Sequence, residues 1–76
     1  MNEKLNKHRN RAIEVLKQDH PNLKVAIRAT WYCYQYSTNQ PSISAVMYVL
    51  ALASASKGNE RQININSAIM QLEELS

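Results

Sequence analysis

The hydrophobic pattern of the first third of the chain predicts an amphipathic helix from Met1 to Asp19. Its apolar residues recur at three- and four-residue steps, and basic residues follow the same steps on the opposite side. Pro21 ends this helix, because the residue before a proline is pushed out of the α region. Proline also suits the first turn of a helix, so a second helix is predicted to follow at once.

The segment from Leu23 to Tyr36 fits two periods. At helical spacing its apolar residues cover two broad faces and leave a narrow polar stripe of Lys24, Arg28 and Gln35. The same segment also alternates like a strand, and its β-branched and aromatic residues favour a strand locally. Fourteen residues without a turn signal exceed an ordinary strand. We therefore predict a helix and keep the strand as the alternative.

The next part of the chain predicts a loop and a third helix. The residues from Ser37 to Ser42 are dense in turn formers. Ser42 can cap a helix that runs to about Ser56, with Gly58 as the left-handed residue after its end. This helix is apolar on nearly every side, which is typical of a helix that is central or shared between subunits.

The end of the chain predicts a connector and a short helix. From Asn59 to Asn66 the chain is polar, and the alternation of Ile63 and Ile65 indicates an extended connector or a brief edge strand. A last helix is predicted from about Ser67 to Leu75. The predicted architecture is one all-α domain over residues 1–76, a small bundle of three longer helices plus a short C-terminal helix.

Length and cysteine count favour a homodimer, formed through the third helix. A chain of 76 residues buries only about 60% of the surface that its unfolded form exposes, so such domains often depend on disulfides, metals or oligomerisation. One cysteine forms no intrachain disulfide, and one cysteine with two histidines is too few for a closed zinc site. Self-association is the stabiliser that remains.

The cysteine content also bears on where the protein works. The free thiol and the absence of a cationic segment followed by an apolar one at the start favour a cytoplasmic protein. The longest strongly apolar run, Ile43 to Ala55, has 13 residues, fewer than the roughly 20 that a membrane-spanning helix needs.

The chemistry-bearing residues predict a protein without catalytic activity, cofactor or metal. Cys33 is the one candidate nucleophile, but neither His8 nor His20 lies near it in sequence. Its flanking tyrosines form an apolar setting, which raises a thiol pKa rather than lowering it. A single glycine excludes phosphate-binding loops, which need several.

Charge and aromatic residues separate along the chain. The 28 residues from Ala29 to Ser56 carry no charge and include all five aromatic residues. Tyrosine and tryptophan are enriched at interfaces because they join a large apolar area to a polar tip. The first hypothesis is a helical adaptor, inhibitor or regulator that binds a protein partner through Tyr32, Tyr34, Tyr36 and Tyr48. Plain packing of these rings in a core without phenylalanine is the competing interpretation.

The basic N-terminal third supports an alternative function. Residues 1–28 hold seven basic and three acidic side chains, a formal charge of +4. The alternative is a small dimeric nucleic-acid-binding regulator that contacts phosphates through Lys4, Lys7, Arg9, Arg11, Lys24 and Arg28. Solvated helix faces are ordinarily rich in lysine and arginine, so we rank the nucleic-acid-binding hypothesis second. Membrane attachment ranks last, because the first helix has no Trp or Phe anchor.

Overall fold

Four α-helices, joined by short connections, make up the computed structural model, which describes residues 2–75. Helix α1 spans Glu3–Leu16 and α2 spans Leu23–Tyr36. Helix α3 spans Gln40–Ala55 and α4 spans Gly58–Glu73. Each helix packs against the next one along the chain, and α1 closes the ring by packing against α4. The described part of the chain is an all-α bundle without strands, which confirms the predicted fold class.

Asparagine side chains start the first two helices. The amide of Leu5 donates to Asn2 Oδ1 at 3.0 Å, and the amide of Val25 donates to Asn22 Oδ1 at 3.3 Å. Such a cap satisfies a first-turn amide that has no partner within the helix. The predicted start of the first helix at Met1 lies outside the described residues, and α1 ends at Leu16 rather than at Asp19.

Helix α2 has the predicted bounds, and the strand alternative is wrong. Its inward stripe contains Leu23, Ala26, Thr30 and Cys33, all buried. The Thr30 hydroxyl donates to the carbonyl of Ala26 at 2.8 Å, so this buried polar group is satisfied within its own helix. The fourteen-residue length was therefore a better predictor of the conformation than the local β-propensity. Only a helix places these four side chains on one face.

Helix α3 begins three residues earlier than predicted, at Gln40. Asn39 occupies the N-cap position and Pro41 lies in the first turn, where a missing amide hydrogen costs nothing. Ser42 is therefore already inside the helix rather than capping it. Gly58 has φ of 60°, the left-handed conformation predicted after the end of α3.

The predicted connector and short last helix are wrong, because residues 59–66 form the first half of a 16-residue α4. Ile63 is 65% exposed and Ile65 only 2% exposed, so their alternation marks two sides of a helix. Gln62 Nε2 donates to Asn66 Oδ1 at 2.9 Å, one helical turn later. The polar composition of residues 59–66 made the buried side of α4 hard to recognise from the sequence. That side consists of Ile65, Ala68 and Leu72.

All four helices contribute to one main core. Its fully buried large side chains include Leu16 from α1, Leu50 from α3, and Ile65 and Leu72 from α4. A smaller cluster of Leu5, Cys33 and Ile43 lies apart from it. The composition of α3 predicted a helix that is central or shared between subunits. Within the single chain α3 is not central, because it packs against α2 and α4 only and has an exposed outer side. Within residues 2–75, no helix has the length and apolar content to cross a bilayer.

A basic and aromatic face on the first helix pair

The antiparallel pairing of α1 and α2 brings two predicted site sequences together. The Asn2 side chain donates a hydrogen bond to the carbonyl of Tyr36, so the start of α1 lies at the end of α2. From this point the two helices run along each other in opposite directions. The basic side of α1 therefore lies beside the tyrosine-bearing side of α2.

A stack of rings marks the line between the two helices. The centroid of the His8 ring lies 4.9 Å from that of the Tyr32 ring, with an interplanar angle of 28°. It lies 5.8 Å from the centroid of the Tyr36 ring, with an interplanar angle of 3°. Lys4 Nζ lies 5.4 Å from the centre of the Tyr36 ring. A cation at this distance from an aromatic face is stabilised by about 0.5–1 kcal/mol at an exposed site. The stack fixes the rings while Tyr32 stays 40% exposed.

Further basic side chains are exposed on the two helices that carry this stack. Lys4, Lys7 and Arg11 follow one another at helical steps on α1, and all three are exposed. Lys24 and Arg28 are exposed one turn apart on α2. We call this surface the basic–aromatic face, and it consists of Lys4, Lys7, His8, Arg11, Lys24, Arg28, Tyr32 and Tyr36.

The acidic neighbours do not neutralise the face. Arg11 lies 3.9 Å from the carboxylate of Glu14, and both side chains are more than half exposed. An exposed ion pair of this kind contributes less than about 0.5 kcal/mol, because water screens it and two side chains must be ordered. Arg11 can therefore exchange Glu14 for a partner's acidic group at little cost.

Arg9 does not lie with the other predicted basic residues. It is half-buried, and its guanidinium donates to the carbonyl of Leu75 at the far end of the chain. Its Nε is buried and has no hydrogen-bond partner among the described residues. Arg9 thus ties α1 to the segment that follows α4.

The four predicted tyrosines occupy three places. Tyr32 and Tyr36 belong to the basic–aromatic face. Tyr34 stacks on Trp31 at 5.4 Å and packs against the smaller buried cluster. Its carbonyl accepts from Gln40 Nε2 at 3.3 Å, so it lies on the side of α2 that faces α3. Tyr48 is 66% exposed on α3.

The stacking of His8 with the tyrosines was not predicted from the sequence. One signal was present in the sequence. Lys4 and His8 lie four residues apart, as do Tyr32 and Tyr36. Two such pairs on antiparallel neighbouring helices can interdigitate, provided that the register aligns them.

Cys33 is buried and chemically quiet. Its side chain is fully inaccessible, and Sγ lies 3.8 Å from the carbonyl oxygen of Leu5. Burial raises the pKa of the thiol to about 11, against a smaller opposite effect from the Arg9 charge. The thiol is protonated at neutral pH, and the thiolate is the form that attacks electrophiles.

The surface also contains an open groove of about 550 Å³. It lies between the start of α1, the start of α3 and the end of α4, and Asn2, Ser42 and Gln71 are among its lining residues. In the stretch from Asn2 to Leu75 no three His, Cys, Asp or Glu side chains come together as a metal site would require.

Comparison with protein-family models, with curated proteins and with solved structures returns no match to this chain. The function proposed below therefore rests on the charge, exposure and stacking of its surface side chains.

Proposed function

We propose that this chain is a non-enzymatic binding protein, an adaptor, inhibitor or regulator, which engages an acidic protein partner through the basic–aromatic face. The observation that carries this proposal is the stack of His8 on Tyr32 and Tyr36 beside exposed lysines and arginines. Tyrosine and arginine are the residue types most enriched among energetically dominant interface residues.

Order within the stack favours binding. A side chain that is already held in one place loses less conformational entropy when a partner covers it. Tyr32 and Tyr36 are held by His8, and Lys4 is placed over Tyr36. The rings can therefore act as rigid contact area, with the flexible basic side chains around them.

The charge distribution favours an acidic partner. The formal charge of residues 1–36 is +4, from seven basic and three acidic side chains, while that of residues 37–76 is −1. A positive field on one side accelerates association with an acidic surface and orients the approach. Salt is expected to slow association more than it speeds dissociation.

The test is a comparison of captured proteins between charge-matched variants. The face variant carries Lys7→Glu and Arg11→Glu, and the control carries Lys57→Glu and Arg61→Glu, at exposed positions on the opposite half of the ring. Both variants change the net charge by the same amount. Quantitative mass spectrometry should identify proteins that are captured by the wild type and by the control variant but not by the face variant. Equal retention by the face variant would contradict the proposal.

Nucleic acid is the second candidate partner, favoured by one feature of the geometry. Five of the six predicted phosphate-contacting residues lie on the outer sides of neighbouring helices, and the exposed Tyr32 ring among them could stack on a base. We leave Arg9 out of this candidate site, because its guanidinium donates to the carbonyl of Leu75.

Fluorescence anisotropy with a random-sequence DNA duplex at several salt concentrations separates the two candidates. Contact with four or five phosphates gives a log–log slope near −4. The face variant should then bind more weakly with a shallower slope, and the Lys57/Arg61 control should behave as wild type. Absence of binding at low salt removes the nucleic-acid candidate and leaves the protein partner.

A further inference from the structure

We infer that the outer side of α3 is the interface of a homodimer, with a second copy of this chain as its occupant. Tyr48 and Leu52 lie one turn apart on this side, 66% and 40% exposed. The surrounding exposed residues are small, and all are uncharged. We call this surface the neutral face, and it consists of Ser44, Ala45, Tyr48, Ala51, Leu52 and Ala55.

The neutral face is available without any change in the bundle. The opposite stripe of α3 holds Ile43, Val46, Leu50 and Ala53, which are fully buried in the chain's own interior. Tyr48 and Leu52 therefore cannot be buried in the chain's own interior, because they lie on the opposite side of the helix. The homodimer predicted from the apolar character of the third helix uses the outer side of the helix, while its inner side stabilises the single chain.

Charge identifies a second copy as the occupant. In a two-fold symmetric interface, a residue near the axis faces the same residue of the partner, so any charge there meets its like. Helices α1, α2 and α4 all carry exposed charged side chains, among them Lys7, Arg28 and Glu60. Helix α3 carries none over its 16 residues. It is the helix on which self-contact brings no like charges together.

The distribution of charge over the whole molecule supports the same orientation. Two copies of a chain with net charge +3 repel each other. The positive charge lies in the α1–α2 half, and α1 packs against α2 and α4 rather than against α3. Contact through α3 keeps the most basic helix of each copy on the side away from the interface.

Side-chain sizes allow close contact. Alanine and serine let two helices approach, so that larger side chains such as Tyr48 and Leu52 can insert beside the partner's Ala45 and Ala51. The Ser54 hydroxyl, at the edge of the face, donates to the carbonyl of Leu50 at 3.1 Å and needs no partner. A 16-residue helix is about 24 Å long. One helix pair buries less surface than a standard stable interface, so we expect weak self-association, in the micromolar range.

The dimer extends the proposed function without depending on it. With the neutral faces in contact, each copy still presents its basic–aromatic face to solvent. Two such faces on one particle would bind a partner with repeated acidic sites more tightly than one face does. Self-association is measurable in the absence of any partner, so its failure would leave the proposed function standing.

Analytical ultracentrifugation over a wide concentration range tests the inference. Wild type should move from the 8.7 kDa mass of the chain towards twice that mass as concentration rises. Tyr48→Glu should stay monomeric at every concentration while its circular dichroism remains helical. Tyr32→Glu is the matched control, the same substitution at an exposed tyrosine of the other half, and it should dimerise as wild type does.

Three results would overturn the inference. They are wild type that remains a monomer at the highest concentration, a folded Tyr48→Glu that dimerises normally, and a limiting mass other than that of two chains. If Tyr48→Glu does not fold, Ala51→Arg provides the same test at an exposed position without loss of a large side chain. Loss of dimer in Ala51→Arg supports the interface, and normal dimer in Ala51→Arg rejects it.

Discussion

The two halves of the ring share an interior and differ in their surfaces. Helices α1 and α2 hold six of the nine basic residues and four of the five aromatic ones. Helix α3 carries no charge, and α4 is weakly acidic overall. Both halves contribute to the same main core. A chain too short for two cores can still have two kinds of surface, here a charged one, for which we propose a partner, and a neutral one, for which we propose self-contact.

The largest expected loss of stability comes from placing a charge at a buried rather than an exposed leucine of α3. Leu50 is fully buried and Leu52 is 40% exposed. An unpaired buried carboxylate costs several kcal/mol, comparable to the whole stability of a small domain. Leu50→Asp should therefore abolish the cooperative thermal transition followed by circular dichroism. Leu52→Asp should remain folded, and a cooperative transition in Leu50→Asp would disprove the placement of this helix.

The smaller cluster, where Cys33 of α2 lies with Ile43 of α3, should weaken at alkaline pH. Burial raises the pKa of Cys33 from an ordinary value near 9.0 to about 11 in the folded chain. Between these values the unfolded chain binds fewer protons, so stability present below pH 9 is lost as the pH rises towards 11. The loss is at most about 3 kcal/mol. Urea titrations should show a steeper alkaline decline for wild type than for Cys33→Ala, and parallel declines would contradict the assignment.

Helix starts differ between the two halves. The side chain of Asn22 caps α2, whereas Asn39 makes no side-chain cap bond to α3. Asn22→Ala should therefore lower the free energy of unfolding by about 1 kcal/mol. Asn39→Ala serves as the matched control and should cost clearly less. Equal losses in urea titrations would mean that the caps are not distinguished as the structure indicates.

The ion pair between the halves should have the smallest effect. Lys17 Nζ, directly after α1, lies 3.4 Å from the Glu73 carboxylate on α4, and both side chains are about half exposed. An exposed pair of this kind contributes less than about 1 kcal/mol. Glu73→Gln should leave the thermal midpoint nearly unchanged at moderate salt. A large loss would show that this contact, rather than the shared core, holds the halves together.

Local signals were enough to predict the first three helices. Pro21, the turn formers after Tyr36 and the helical spacing of apolar residues place α1, α2 and α3 within a few residues of their observed bounds. The first half of α4 lacked such signals. Its polar residues are helical because Ile65 packs into a core formed by the other helices, and this tertiary contribution is absent from a local pattern.

The candidate site was predictable as two separate sets of residues. The basic residues of α1 and the tyrosines of α2 stood out by charge and by type. Their meeting depends on the register between two helices, which sequence periodicity leaves open. The same limit applies to Arg9, whose contact with Leu75 joins residues 66 positions apart.

We propose that binding and self-association use surfaces on opposite halves of the ring. Amide-resolved paramagnetic relaxation with a neutral probe and an anionic analogue of the same size tests this proposal. We expect excess relaxation from the anionic probe at amides of residues 4–11 and 24–32, where the positive field attracts it. We also expect protection of residues 44–55 from both probes at high protein concentration, and loss of that protection on dilution. Anionic excess spread evenly over both halves, with α3 as accessible at high concentration as at low, would contradict the proposal.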